Sequence, residues 1–282
     1  MEHNIDQMRQ DLARAAYAQA TQTQYVKVAE RLGARFGRPV ATLSREQVRC
    51  FVDEVMARPC SASTKVGDLA AIKYLYAKTL GRPEMVSFIR YPKRGSQSRT
   101  VLSLQETRGL LQAITHPMYQ AIAMVLYGSG VRVAEALAFE VSDIDGERGV
   151  IRVRKGKGNR AREAKLSPAL HEWLQQYWDM YRPAAPYLFA SRTTGKPPIA
   201  ASVRAALKKA SAAAMIKKRV TPHVLRHSFA THLLEHGTDV RVVAHLLGHA
   251  SLESTMRYAR VTQKLVRETP SPLDLLPQRR QR

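Results

Sequence analysis

The stretch TPHVLRHSFATHLLEHG, Thr221 to Gly237, holds four histidines and one arginine in seventeen residues. Two spacings within it point to different chemistry. His223 and Arg226 stand three apart, so on a helix they share one face near a Thr-Pro start, where free N–H groups and the helix dipole favour an anion. Arginine adds a planar fork matched to two phosphate oxygens, and histidine adds a donor or proton acceptor that titrates near neutrality. His232-x-x-Glu235-His236 reads instead like an inverted zinc-protease motif, with His245 or His249 as a third ligand. Against that, Leu233 and Leu234 sit inside the motif and Gly237 stops the helix directly after His236. Leu225, Phe229 and Leu233 make an ordinary amphipathic stripe. Phosphate grip, metal site and plain helix all remain open at this point.

Charge narrows the choice. The 282 residues carry 45 Lys+Arg against 23 Asp+Glu, a net of +22, with a pI near 10.4. Such an excess points to nucleic acid, because each neutralised phosphate releases condensed counterions. A zinc hydrolase has no need of it. Residues 1–94 hold 16 basic and 9 acidic side chains, a net of +7, and the remainder holds 29 and 14, a net of +15. A basic tail on a neutral body is therefore excluded. With 45% apolar residues the chain is long enough for one large or two ordinary domains, each with a core. Cys50 and Cys60 have no metal-partner spacing and suit a reducing compartment. No apolar leader precedes residue 20 and no run approaches 18 apolar residues, so a cytoplasmic location away from membranes is expected.

Periodicity divides the chain. Leu12, Ala15, Ala16, Ala20, Tyr25, Val26, Ala29 and Leu32 predict a helix over 11–35. Ser44-Arg-Glu-Gln47 is a capping box opening a second helix with Val48, Phe51, Val52 and Val55 on one stripe. A third runs from Ser61 towards Gly81. Residues 1–91 thus read as a helical bundle, and 92–100, with Pro92, Gly95 and the cations Lys93, Arg94 and Arg99, as a basic linker along a nucleic-acid backbone. Ser103-Leu-Gln-Glu106 caps a further helix, and another covers 118–127. GVIRVRKGKGNRAREAKLS, 149–167, alternates in the β manner around a Gly-rich turn, and Ser167-Pro168 opens the next helix. Helices over Thr221–Gly237, Asp239–Gly248 and Ser251–Lys264 follow. The fold class is mainly α with a small antiparallel sheet: a helical bundle before a mixed α/β domain over 101–262, then a tail over 263–282. No internal repeat is present.

Taken together, the motifs resemble the C-terminal signature of the tyrosine recombinases, the phage-integrase and Xer-type family. That family's pattern is His-x-x-Arg-His, then Leu-Gly-His, then Thr-x-x-Tyr nine residues after that histidine. Here stand His223, Arg226 and His227, then Leu247-Gly248-His249, then Thr255-Met-Arg-Tyr258. The family's earlier arginine matches Arg132 in Gly130-Val-Arg132-Val-Ala-Glu135-Ala-Leu137, with Val131 where leucine is usual, and its lysine matches Lys157 in Gly156-Lys157-Gly158. The likeness covers about residues 100–262.

The resemblance implies a function. Tyr258 attacks a DNA phosphodiester, leaving a 3′-phosphotyrosine and a free 5′-hydroxyl. His223 serves as general base for a phenol whose ordinary pKa is about 10. Arg132 and Arg226 clamp the phosphate, His249 donates a further hydrogen bond, and Lys157 protonates the leaving oxygen. Glu135 and His227 support these groups, and Arg154, Lys155, Arg160 and Arg162 lie on a hairpin able to touch phosphates. No cofactor is required, because the ester stores the bond energy, and no metal, because Arg, Lys and His do the electrophilic work. The partner is double-stranded DNA with a specific recombination site, its faces gripped by two domains, and four protomers exchange strands through a Holliday junction. Integration or excision of a mobile element, dimer resolution and transposon movement all fit that scheme. A catalytically silent DNA-binding relative, a zinc hydrolase and a type IB topoisomerase are the alternatives.

Overall fold

The computed structural model describes residues 2–92, 100–154 and 161–248. Two compact units divide the chain, Met1–Gln97 and Ser98–Arg282, each with its own apolar core.

The first unit is helical. Helices α1 (Glu2–Arg14), α2 (Gln19–Phe36), α3 (Arg45–Ala57) and α4 (Ala62–Tyr74) enclose its core. Ser44 and Gln47 form the expected capping box, and Val48, Phe51, Val52 and Val55 are the buried face of α3. Helix α4 runs on through a π-helical turn at Leu75–Thr79. The single helix expected over 11–35 is instead two. The chain breaks after Arg14, with Ala16 in the left-handed region at φ 54°. Residues 2–14 belong to the bundle because Ile5, Met8 and Leu12 recur at helical spacing and are buried. Buried Asp68 of α4 accepts from Arg31 and Arg58, which offsets the cost of its desolvation.

The second unit begins with α5 (Leu104–Ala113), capped by Ser103 and Glu106, then α6 (Pro117–Ser129) and the short α7 (Val133–Leu137). Strands β1 (Ile144–Asp145), β2 (Val150–Val153) and β3 (Arg162–Lys165) form one antiparallel sheet in the order β1-β2-β3, with Ile151 opposite Ala164 and Val153 opposite Arg162. Ile151, Val153 and Ala164 are buried, as the alternation predicts. Helices α8 (Pro168–Tyr181), α9 (Ala200–Ala213), α10 (Pro222–Glu235) and α11 (Val240–Leu247) complete the described part. The helix expected over Ser251–Lys264 lies outside the described residues, as does the tail.

Helix α10 is not the amphipathic helix its leucines suggest. Every residue from Leu225 to His232 is buried, because α10 packs against α6, α9 and α11. Its polar face is therefore inside the protein. Such a face is tolerated only when its groups are hydrogen-bonded. The segment entering α5 supplies two of those bonds: the Leu102 N–H donates to the Ser228 hydroxyl at 3.0 Å, and the Leu102 carbonyl lies 2.9 Å from His232 Nε2. No described helix is long and apolar enough to cross a membrane.

Candidate active site

The Thr221 hydroxyl accepts from the Val224 N–H at 3.3 Å, and Pro222 takes the first helical position of α10, where its missing N–H costs nothing. His223 follows, exposed in the first turn. Arg226, one turn further, is only 5% exposed. Its two Nη atoms donate to two backbone carbonyls, Nη1 to Gly130 at 2.5 Å and Nη2 to Leu247 at 2.8 Å. A guanidinium held in this way has its plane fixed before any ligand arrives, so it is not the surface arginine of a plain helix.

Both anchors are helix C-termini. Gly130 ends α6 and Leu247 is the last residue of α11, where carbonyls lack intrahelical partners and the dipole is negative. Gly130 has φ +64°, and a Cβ there would run into the Phe229 ring of α10. Gly130→Ala therefore combines left-handed strain of about 1 kcal/mol with overpacking of about 1–3 kcal/mol. A thermal melt should fall by several degrees, and an unchanged melt would refute this placement.

Arg132 stands two residues beyond Gly130, at the N-cap of α7. Its backbone N–H donates to Glu135 Oε2 and its Nη1 to Oε1, each at 2.7 Å. The Arg132 side chain keeps 27% exposure while Glu135 keeps 4%, so the carboxylate fixes the arginine from within and leaves an edge facing outward. Glu135 also accepts from Arg162 Nη2 at 2.8 Å, and Arg162 Nη1 donates to the Leu246 carbonyl at 2.9 Å. Burial alone would raise the Glu135 carboxyl. The Arg132 bonds and the Arg162 charge outweigh it and hold the group below the usual carboxylate range. The stability it contributes is thus complete above the ordinary carboxylate pKa and is lost as pH falls through the depressed value. Arg132 and Arg226 consequently belong to one connected set: the chain joins Arg132 to the Gly130 carbonyl on Arg226, and adjacent carbonyls at the end of α11 take Arg162 and Arg226.

The zinc spacing dissolves in the structure. His232 Nε2 faces the Leu102 carbonyl, which can only accept, so that nitrogen carries the proton. Nδ1 then accepts from the Tyr127 hydroxyl at 2.9 Å. Neither nitrogen has a lone pair left for a metal. Among the described residues, no group of three or more His, Cys, Asp or Glu is placed to hold one. His227 is buried beside Arg226 in the sequence of α10.

Two expected DNA contacts have other engagements. Arg154, at the end of β2, is held by Asp143 and Glu140 at 2.6 Å each, although its side chain is half exposed. Arg162 is drawn inward, with 11% of its side chain exposed. Lys93, Arg94, Arg99, Lys155, Lys157, Arg160, His249 and Tyr258 lie outside the described residues. The inward turn of Arg162 had a signal: it shares a period-2 face with Ala164 and Leu166, both buried. The Leu246 and Leu247 carbonyls had none, since backbone groups carry no residue code.

A phage integrase family model matches residues 100–264, and a phage integrase N-terminal SAM-like domain matches residues 5–84. The putative integrase/recombinase y4qK of Sinorhizobium fredii is 35% identical over 275 residues, 96% of this chain and 88% of that protein. Tyrosine recombinase XerA of Pyrococcus furiosus is 38% identical over 205 residues, 71% of each. Among solved structures, XerA recombinase superposes with a TM-score of 0.55 at 26% identity, covering 95% of this chain and 96% of that one. A lambda integrase dimer bound to a COC′ core site gives 0.72 at 16% identity, covering 92% and 94%, a likeness of fold. With Arg132 and Arg226 tied into one set and family matches over both units, this chain belongs to the phage integrase family and is a tyrosine recombinase.

Proposed function

We propose that the chain cuts and rejoins double-stranded DNA at a specific site through a 3′-phosphotyrosine on Tyr258. The observation that carries this reading is the joint anchoring of Arg132 and Arg226 by Gly130, Glu135 and the end of α11. Two guanidiniums fixed in advance suit the pentavalent phosphorane-like transition state, whose non-bridging oxygens gain negative charge. The Tyr258 oxygen forms a bond to phosphorus as the bond to the 5′-oxygen breaks. His223, exposed at the start of α10, takes the phenol proton, and Lys157 gives one to the departing oxygen. His249, one residue beyond Gly248, adds a hydrogen bond to the phosphate. His227 braces α10 beside Arg226. Rejoining reverses these steps, so the ester itself carries the bond energy and no cofactor enters.

The first unit, 1–91, would serve as the core-binding domain, with Lys93, Arg94 and Arg99 on the DNA backbone, and Lys155 and Arg160 on phosphates near the cut. Four protomers would pair two sites and act in the cytoplasm. Deleting residues 266–282 should abolish the tetramer on paired sites while single-site affinity stays within threefold; unaltered assembly in a sizing experiment would remove the tail from this scheme.

The direct test uses a nicked duplex bearing a site selected by the full chain from a randomised pool. An adduct surviving denaturant should form, in equal yield with and without a strong chelator. Absence of an adduct, or its loss with chelator, would overturn the mechanism.

A further inference from the structure

Glu135 raises an electrostatic problem. A carboxylate bonded to Arg132 cancels much of the charge that Arg132 is meant to offer a phosphate, and in a buried site such cancellation is strong. Arg162 answers it. Its Nη2 lies 2.8 Å from the Oε2 that also accepts from the Arg132 backbone, while Arg132 Nη1 uses Oε1. Two arginines therefore share one carboxylate, and the trio keeps a net charge of +1.

The way Arg162 is held favours a task other than stability. It is nine-tenths buried, and its Nε has no acceptor among the described residues. A buried cation with an unmatched donor generally adds less stability than an apolar side chain of similar volume. Its route is also built around it. Gly248, with φ +61°, passes so close that a Cβ would strike Arg162 Nε and Cδ. Nη1 meanwhile ties β3 to the Leu246 carbonyl, two residues before Gly248 and three before His249. Burial pulls the Arg162 pKa down and the charge of Arg132 does the same, while Glu135 opposes both.

We propose that Arg162 is a positioning residue that neutralises Glu135, so that Arg132 presents its full charge to the scissile phosphate. This rests on the phosphotyrosine reading above. Arg162 touches no substrate in this scheme; it acts through Glu135.

The test compares variants on the same nicked duplex, with folding followed by circular dichroism and single-site binding at fixed salt. Arg162→Gln should slow adduct formation about 10²-fold, the scale for losing one preorganised transition-state charge, with affinity within threefold. Adding Glu135→Gln removes the charge left uncompensated, so the double variant should react at least about tenfold faster than Arg162→Gln alone. A merely structural role predicts the reverse, with losses that add. Arg162→Lys keeps the charge and should stay within about fivefold of wild type; it decides the matter if Arg162→Gln does not fold. Wild-type rates for Arg162→Gln, a slower double variant, or a folded Arg162→Lys as slow as Arg162→Gln would each overturn the inference. Failure of the wild-type chain to form any adduct would instead sink the phosphotyrosine reading itself.

Discussion

Tyr258→Phe is expected to abolish the covalent protein–DNA adduct while leaving affinity for a single site within about threefold. The loss should be at least about 10⁴-fold, the scale seen when an enzyme's nucleophile is removed. Phenylalanine keeps the ring and deletes the oxygen that, in the proposed mechanism, bonds to phosphorus. Binding should persist because it is carried by many phosphate contacts, of which a single hydroxyl is a small part. Three other tyrosines are poor substitutes. The Tyr76 and Tyr177 hydroxyls are buried and donate to the Val40 and Leu188 carbonyls, and burial raises both groups. The Tyr127 hydroxyl donates a hydrogen bond to His232 Nδ1, and burial raises it too. Adduct formation at an undiminished rate would mean another residue attacks.

Arg226→Ala should lower the rate of strand cleavage by at least about 10³-fold, more than one oxyanion donor normally supplies. Two losses combine. The phosphate loses a guanidinium, and the Gly130 and Leu247 carbonyls lose the donors that hold α6 and α11 against α10. Each buried acceptor left unsatisfied costs about 1–3 kcal/mol, so the melting temperature should fall as well. Arg226→Lys separates the two effects. A lysine keeps the charge but cannot bridge two carbonyls in a fixed plane while facing a phosphate. It should recover part of the stability and little of the rate. Full activity in Arg226→Lys would show that charge alone suffices and that the bridging geometry is incidental.

The legible parts of the fold were those written locally. Ser44, Ser103, Ser167 and Thr221 cap the helices they announce, because a hydroxyl at the N-cap satisfies an amide within three residues. The strand alternation placed Ile151 and Val153 inside. Helix α9 was missed: Ile199 supplies no capping side chain, and its stripe of Val203, Leu207 and Ala210 is diluted by alanine and lysine. Strand β1 is two residues long, too short to alternate.

The candidate site can be read from the sequence as a set of patterns but not as a network. His223, Arg226, Arg132 and Glu135 follow from spacing together with family likeness. The strand period could turn Arg162 inward, but the bonds that hold it there reach partners 27 and 84 residues away in the chain, one of them a backbone carbonyl. Tertiary packing also reversed the reading of α10, whose polar residues lie inside because helices surround it. The same packing explains His232, which serves as a clasp between Tyr127 and Leu102.

The central claim is that Arg132 and Arg226 hold one DNA phosphate for attack by the Tyr258 phenol. It is met most directly by digesting the trapped adduct and sequencing the modified peptide by mass spectrometry. The account predicts one nucleotide joined through its 3′-phosphate to Tyr258, and no such peptide when Arg132 and Arg226 are both replaced by alanine. A nucleotide on any other side chain, attachment through a 5′-phosphate, or an undiminished yield without the two arginines would contradict it.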